Sequence, residues 1–142
     1  MLKFFSPEEE EQIIEAIRRA EDKTTGEIRV HLEDNLKREA MQEAILVFRR
    51  LKMHKTKERN GVLILLAPEQ KQFAIIGDEG INEVVPEDFW AEERNLMQEH
   101  FRRGEYCTGL CTAIDQVGEK LKTHFPGEPG NENELSDEIS YN

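Results

Sequence analysis

The chain has 142 residues, 35% of them charged, with a net charge of −11. That length suits one domain able to bury ~68–70% of its unfolded surface without staples, and the acidic balance argues against nucleic acid or an anionic membrane as a general partner. Every apolar run falls far short of the ~20 residues that cross a bilayer, and Met1–Phe5 does not read as a secretory leader, so the expectation is a soluble, cytoplasmic protein.

In chain order, Ser6-Pro7-Glu8-Glu9 predicts a helix start: Ser6 caps, Pro7 fits the first turn and Glu9 completes a capping box. Ile13, Ile17 and Ala20, with Ile14 and Ala16, form its apolar face, and Thr24-Thr25-Gly26 ends it. Residues Glu27–Leu32 then alternate, with Ile28, Val30 and Leu32 on one face and Glu27, Arg29 and His31 on the other. That pattern predicts a strand half exposed or near an edge. A second helix is predicted from Lys37 to Leu51, with Ala40, Ala44, Phe48 and Leu51 facing inward, and Lys52–Arg59 follows as a basic loop. Two apolar runs, Val62–Ala67 and Phe73–Ile76, flank a Pro-Glu-Gln-Lys turn and predict a hairpin. Val85-Pro86-Glu87-Asp88 predicts the start of a third helix, carrying Phe89, Trp90, Leu96, Met97 and Phe101 and stopped at Gly104. A fourth runs from Tyr106 to His124, with Leu110, Ile114, Val117 and Leu121 in register. Cys107 and Cys111 lie one turn apart on it, with Cβ atoms ~5–6 Å apart. A disulfide needs about 3.5–4.5 Å, so they read as reduced thiols.

From Pro126 to Asn142 the chain has five acids and no Lys or Arg, so the tail carries −5 of the −11 and leaves −6 for the body. With two prolines and two glycines it reads as mobile, although the spaced apolar residues of its end, Leu135 to Tyr141, also suit docking on the body or on a partner. The organisation is therefore one domain over residues 1–125 and an acidic tail over 126–142. The order αβαββαα predicts an α/β fold with a small mixed sheet and about four helices: the first two strands are parallel through a helical crossover, and the third runs back against the second.

That topology gathers polar residues at two rims. Glu27, Asn60, Asp78, Glu79 and Asn82 share the end where the first two strands start and the third finishes. Three carboxylates, two amides and glycine carbonyls supply the oxygen ligands that a hard cation takes, although Gly-Asp-Glu-Gly also reads as a plain polar turn. Glu33, Asp34 and Asn35, with Glu69, occupy the opposite rim, outside the strands' carboxyl ends where open parallel sheets usually bind ligands. Asp34-Asn35 also reads as a helix cap. The basic loop His54-Lys55-Thr56-Lys57 with Arg59 adjoins the first rim and has the charge to hold a phosphate, or simply to be solvated. No P-loop, HExxH or GxSxG motif is present, and the histidines show no ligand spacing.

Thr25-Gly26-Glu27-Ile28, Asn60-Gly61-Val62-Leu63, Ile76-Gly77 before Gly80-Ile81, and Phe101-Arg102-Arg103-Gly104-Glu105-Tyr106 before Gly109-Leu110 together resemble the TPM domain family from Phe5 to about Leu121. The resemblance implies a Rossmann-like αβα sandwich that binds divalent cations, calcium in some members, with acid phosphatase activity described for some. Many members are secreted or membrane-anchored, and this chain looks like a stand-alone soluble one. It departs from the family at Arg59, where an acid often precedes Asn-Gly, and at Asp78-Glu79, where the glycine turn often holds an aromatic residue. The expected function is binding of Ca2+, with Mg2+ the alternative, through Glu27, Asn60, Asp78, Glu79 and Asn82, with weak phosphatase activity on a phosphorylated substrate as a corollary. The competing expectation is a non-catalytic module that binds a protein partner through a groove or the acidic tail.

Overall fold

The computed structural model describes residues 4–127 and 138–141. It divides into two compact units, one of residues 27–85 with 138–141 and one of residues 4–26 with 86–127.

The first unit is built on a mixed four-stranded open sheet: β1 (Glu27–Leu32), β2 (Gly61–Ala67), β3 (Gln72–Gly77) and β4 (Ser140–Tyr141), in the order β3-β2-β1-β4. β1 and β2 are parallel, with Glu27 opposite Gly61, and β2 and β3 are antiparallel, with Val62 opposite Gly77. Both agree with the strand directions read from the sequence. In this unit α2 (Ala40–Arg50) crosses between β1 and β2. Ala40, Ala44, Val47 and Phe48 of α2 pack on Leu63, Leu65 and Ala74. Their spacing of three and four residues makes the stripe a helix needs to bury against a sheet.

The second unit holds α1 (Pro7–Glu21), α4 (Ala91–Arg102) and α5 (Tyr106–His124). Ser6 caps α1 through the Glu9 amide while Glu9 answers to the Ser6 amide, completing the capping box. Gly118 lets α5 approach α1 closely, since a Cβ there would stand 2.7 Å from the Ala20 Cβ. No helix among the described residues is long and apolar enough to cross a membrane.

Four expectations change. β1 is not half exposed: Glu27 and His31 on its polar face are 2% and 1% exposed. It does lie near the edge of the sheet, with only the two-residue β4 outside it, His31 opposite Ser140 and Leu32 opposite Tyr141. The tail end read as mobile carries the two-residue strand Ser140–Tyr141, whereas 128–137 lies outside the described residues. The Gly-Asp-Glu-Gly segment is not a simple turn but opens a short helix, α3 (Glu79–Asn82), capped by Asp78. The helix expected from Val85-Pro86 begins at Ala91, after a run of turns closed by Phe89 N–H to Pro86 O and Ala91 N–H to Asp88 O.

Candidate functional site

The rim at the start of β2 depends on two backbone features. Gly80 N–H donates to the Arg59 carbonyl at 2.9 Å. A Cβ on Gly80 would lie 2.1 Å from the Glu58 carbonyl oxygen, so only glycine lets α3 sit directly on this loop. Arg59 itself adopts left-handed backbone, with φ of 52°. Non-glycine residues hold that conformation at a cost of about 1 kcal/mol or more, offset by the contacts it permits.

Here the contacts are ionic. The Arg59 guanidinium grips Asp78 with both arms of its fork, Nε to Oδ2 at 2.8 Å and Nη2 to Oδ1 at 2.9 Å. Nη1 donates to Glu79 Oε1 at 2.9 Å. Planar two-point pairing of this kind is the strong form of a carboxylate contact. Asp78 is buried and its Oδ1 also accepts from the Glu79 amide at 2.8 Å, capping α3. The hydrogen bond to Asp78, with the nearby charges of Asp78, Glu79 and Glu83, raises the Arg59 pKa above its ordinary value.

The five expected metal ligands are thus only partly brought together. Asp78 and Glu79 converge, but on a guanidinium. Asn60 is fully buried, and its Nδ2 donates to Glu58 Oε2 at 3.0 Å. Glu27 meets Asn60 through the backbone, its amide donating to the Asn60 carbonyl at 3.4 Å, while its side chain is buried. The exposed Asn82 donates its Nδ2 to the Gly77 carbonyl at 3.1 Å. Among the described residues no three His, Cys, Asp or Glu side chains are arranged to hold a metal ion. As folded, this set fits a cation that makes directional hydrogen bonds, and Arg59 is that cation. Glu58 and Glu83 belong to the rim as well. Their acidic character was legible, but their nearness to it depends on how the loop and α3 turn.

A second constellation lies at the outer edge of β1. His31 Nδ1 is 2.9 Å from Ser140 Oγ, and Nε2 is 3.2 Å from Glu33 Oε1. All three residues are buried. Burial lowers the His31 pKa, against the hydrogen bond and charge of Glu33, which raise it. A neutral ring satisfies both neighbours by donating from Nε2 and accepting the Ser140 hydroxyl at Nδ1. The residue types match a nucleophile–base–acid relay, yet Ser140 is inside a strand pairing and His31 is sealed from solvent, so the set works as packing. Of the opposite-rim residues, Glu33 joins this constellation, and Asp34, Asn35 and Glu69 are exposed. Sequence reasoning missed His31 because its partner is 109 residues away.

The second unit has an open groove of about 550 Å³ lined by residues such as Arg19, Lys23, Asp115 and Glu119. Its charges are mutually paired, Arg19 with Asp115 at 3.3 Å and Lys23 with Glu119 at 2.5 Å. The thiols are free, and burial pushes Cys107 up and Cys111 up to about 12, which keeps both protonated and unreactive.

Comparison with curated proteins gives no match. Among solved structures, the chain is similar to the BA42 protein from the psychrophilic bacterium Bizionia argentinensis, with 44% identity, a TM-score of 0.94, and coverage of 100% of this chain and 98% of that one. The N-terminal domain of a P. gingivalis protein shares the fold at 21% identity and a TM-score of 0.69, covering 85% of this chain and 78% of its own. The N-terminal domain of cg2496 from Corynebacterium glutamicum does so at 14% and 0.66, covering 83% and 74%. The TPM domain pattern matches residues 2–120, most of the chain. On that match, and on the α/β architecture that accompanies it, the chain belongs to the TPM domain family.

Proposed function

We propose that the rim of Asp78, Glu79 and the Asn60 loop is a cation-binding site whose resident cation is the chain's own Arg59. The observation that carries this is the three-bond grip of the guanidinium on Asp78 and Glu79. Members of the family often have an acid before Asn-Gly, where Arg59 stands, and an aromatic residue in the glycine turn, where this chain has Asp78-Glu79. This chain has exchanged one charge for the other across the same gap. A divalent ion such as Ca2+, or Mg2+, binds there only by displacing the guanidinium. Asp78 and Glu79 are its anchors, with oxygens of Asn60, Asn82 and Glu27 completing a shell that needs six or more.

Calcium titration followed by amide NMR tests this. Arg59→Ala is expected to bind calcium about tenfold more tightly than the native chain, with shifts centred on residues 78–82 in both. Equal affinity in the two proteins, or shifts centred on Glu33–Asn35, sinks the reading. Phosphatase activity has the support of the family resemblance and of the neighbouring Lys55 and Lys57, and nothing in the rim identifies an attacking group. A second reading, a protein-interaction module, is favoured by a separate observation: the sheet accepts Ser140–Tyr141 as an added strand.

A further inference from the structure

The outer edge of β1 is built to receive an extended segment. Its occupant, Glu138–Tyr141, is read residue by residue. Ile139 is buried, Ser140 meets His31 at 2.9 Å, and Tyr141 is half buried opposite Leu32. Burial lowers the Arg29 pKa, and the nearby charge of Glu138 opposes that shift. Among the described residues Arg29 Nε is a buried donor with no hydrogen-bond partner, so an acid at this end of the groove has an open site to meet. The recognised pattern is acid, aliphatic, hydroxyl, aromatic, running parallel to β1.

The occupant is also short. β4 pairs with two of the six residues of β1. Strand addition gains affinity from main-chain hydrogen bonds and specificity from alternate side chains. So small a ladder is held largely because it is tethered, and tethering supplies an effective concentration on the order of mM. Another copy of the same segment meets the same pockets with the same contacts.

We infer that the β1 edge, with Arg29 and His31 as its reading residues, is a strand-exchange site that takes the C-terminal segment of a second copy of this chain. Two copies trading Glu138–Tyr141 bury no new surface type, so exchange is a low-cost route to association. This rests on the interaction-module reading and not on the cation rim. Its test reads the edge alone, so failure of calcium binding leaves it standing.

The test is complementation between two full-length variants. Ile139→Asp places a charge at a buried position and releases the variant's own strand while leaving its β1 edge intact. Arg29→Glu opposes Glu138 and frees that variant's strand for donation, with Arg29→Ala as substitute donor if the first does not fold. Isotope-labelled Ile139→Asp is mixed with unlabelled donor near the millimolar tethering concentration. The expected result is that the His31 and Leu32 amide signals return to their native positions and the sedimentation coefficient rises to that of a dimer. Two results overturn the inference. One is that folded partners leave those signals unmoved. The other is that a synthetic peptide of residues 133–142 restores them while the donor protein does not, which would make the edge a receptor for peptides of another source.

Discussion

At the rim where β2 begins, polar side chains stay near water and are held by charge. At the outer edge of β1 they are sealed in and held by matched hydrogen bonds. Arg59 is 40% exposed in its side chain and grips Asp78 and Glu79, whereas His31 is 1% exposed and sits between Ser140 and Glu33. The difference follows from the cost of burying charge. A guanidinium–carboxylate fork tolerates partial exposure and is screened by salt. A buried imidazole is better neutral, with each nitrogen assigned one partner. One region is therefore sensitive to salt and the other to protonation.

Three changes break or sharpen that contrast. The largest effect is expected from Gly80→Ala, because the new methyl meets backbone oxygens that cannot rotate away. A loss of about 3 kcal/mol in urea unfolding is expected, with the rim amides most disturbed. A loss under ~0.5 kcal/mol would show that α3 is not locked to the Arg59 loop by this contact. Next is Ser140→Ala, which removes the hydroxyl at His31 Nδ1. The expected cost is about 1 kcal/mol, capped because detachment of β4 rehydrates the ring. Hydrogen exchange should quicken at residues 31–32 and not at 78–82; equal quickening at both would mean the two regions are coupled.

The smallest effect is pH dependence at the edge. Burial lowers the His31 pKa from 6.5, so the unfolded chain takes up a proton that the folded ring refuses. Stability from this residue is present above pH 6.5 and falls as pH drops through that value toward the folded pKa. Urea unfolding at neutral and mildly acidic pH, compared with His31→Gln, reads it directly. The variant should lose less stability on acidification, and an identical loss would assign the effect to carboxylates elsewhere.

Much of the architecture was legible in the chain, because it is written in local patterns. The Ser6–Glu9 box, the α2 stripe and the register of α5 each depend on residues within a few turns of one another. The hairpin was legible too, since Asn60-Gly61 and Gly77-Asp78 are brought together by the short Pro68–Lys71 turn. That proximity correctly placed Asp78 and Glu79 beside the Asn60 loop. The use made of it was not legible: Arg59 reads as one more cation in a basic loop until its left-handed backbone turns it onto Asp78. Asn60 and Glu27 share the rim in sequence logic, and the fold buries both of them beside the ion pairs of Arg59.

The amino-acid sequence by itself determined the family, the α/β order, strand directions within β1–β3 and the acidic character of the rim, since all of these follow from periodicity, turn chemistry and charge. Only the tertiary structure decided what neutralises those acids and what lies beside β1. Both answers rest on contacts whose geometry pattern cannot supply: a guanidinium 19 residues before Asp78, and a serine 109 residues after His31. Long-range pairing is fixed by which buried polar atoms find partners, and that is settled only when the whole chain has packed.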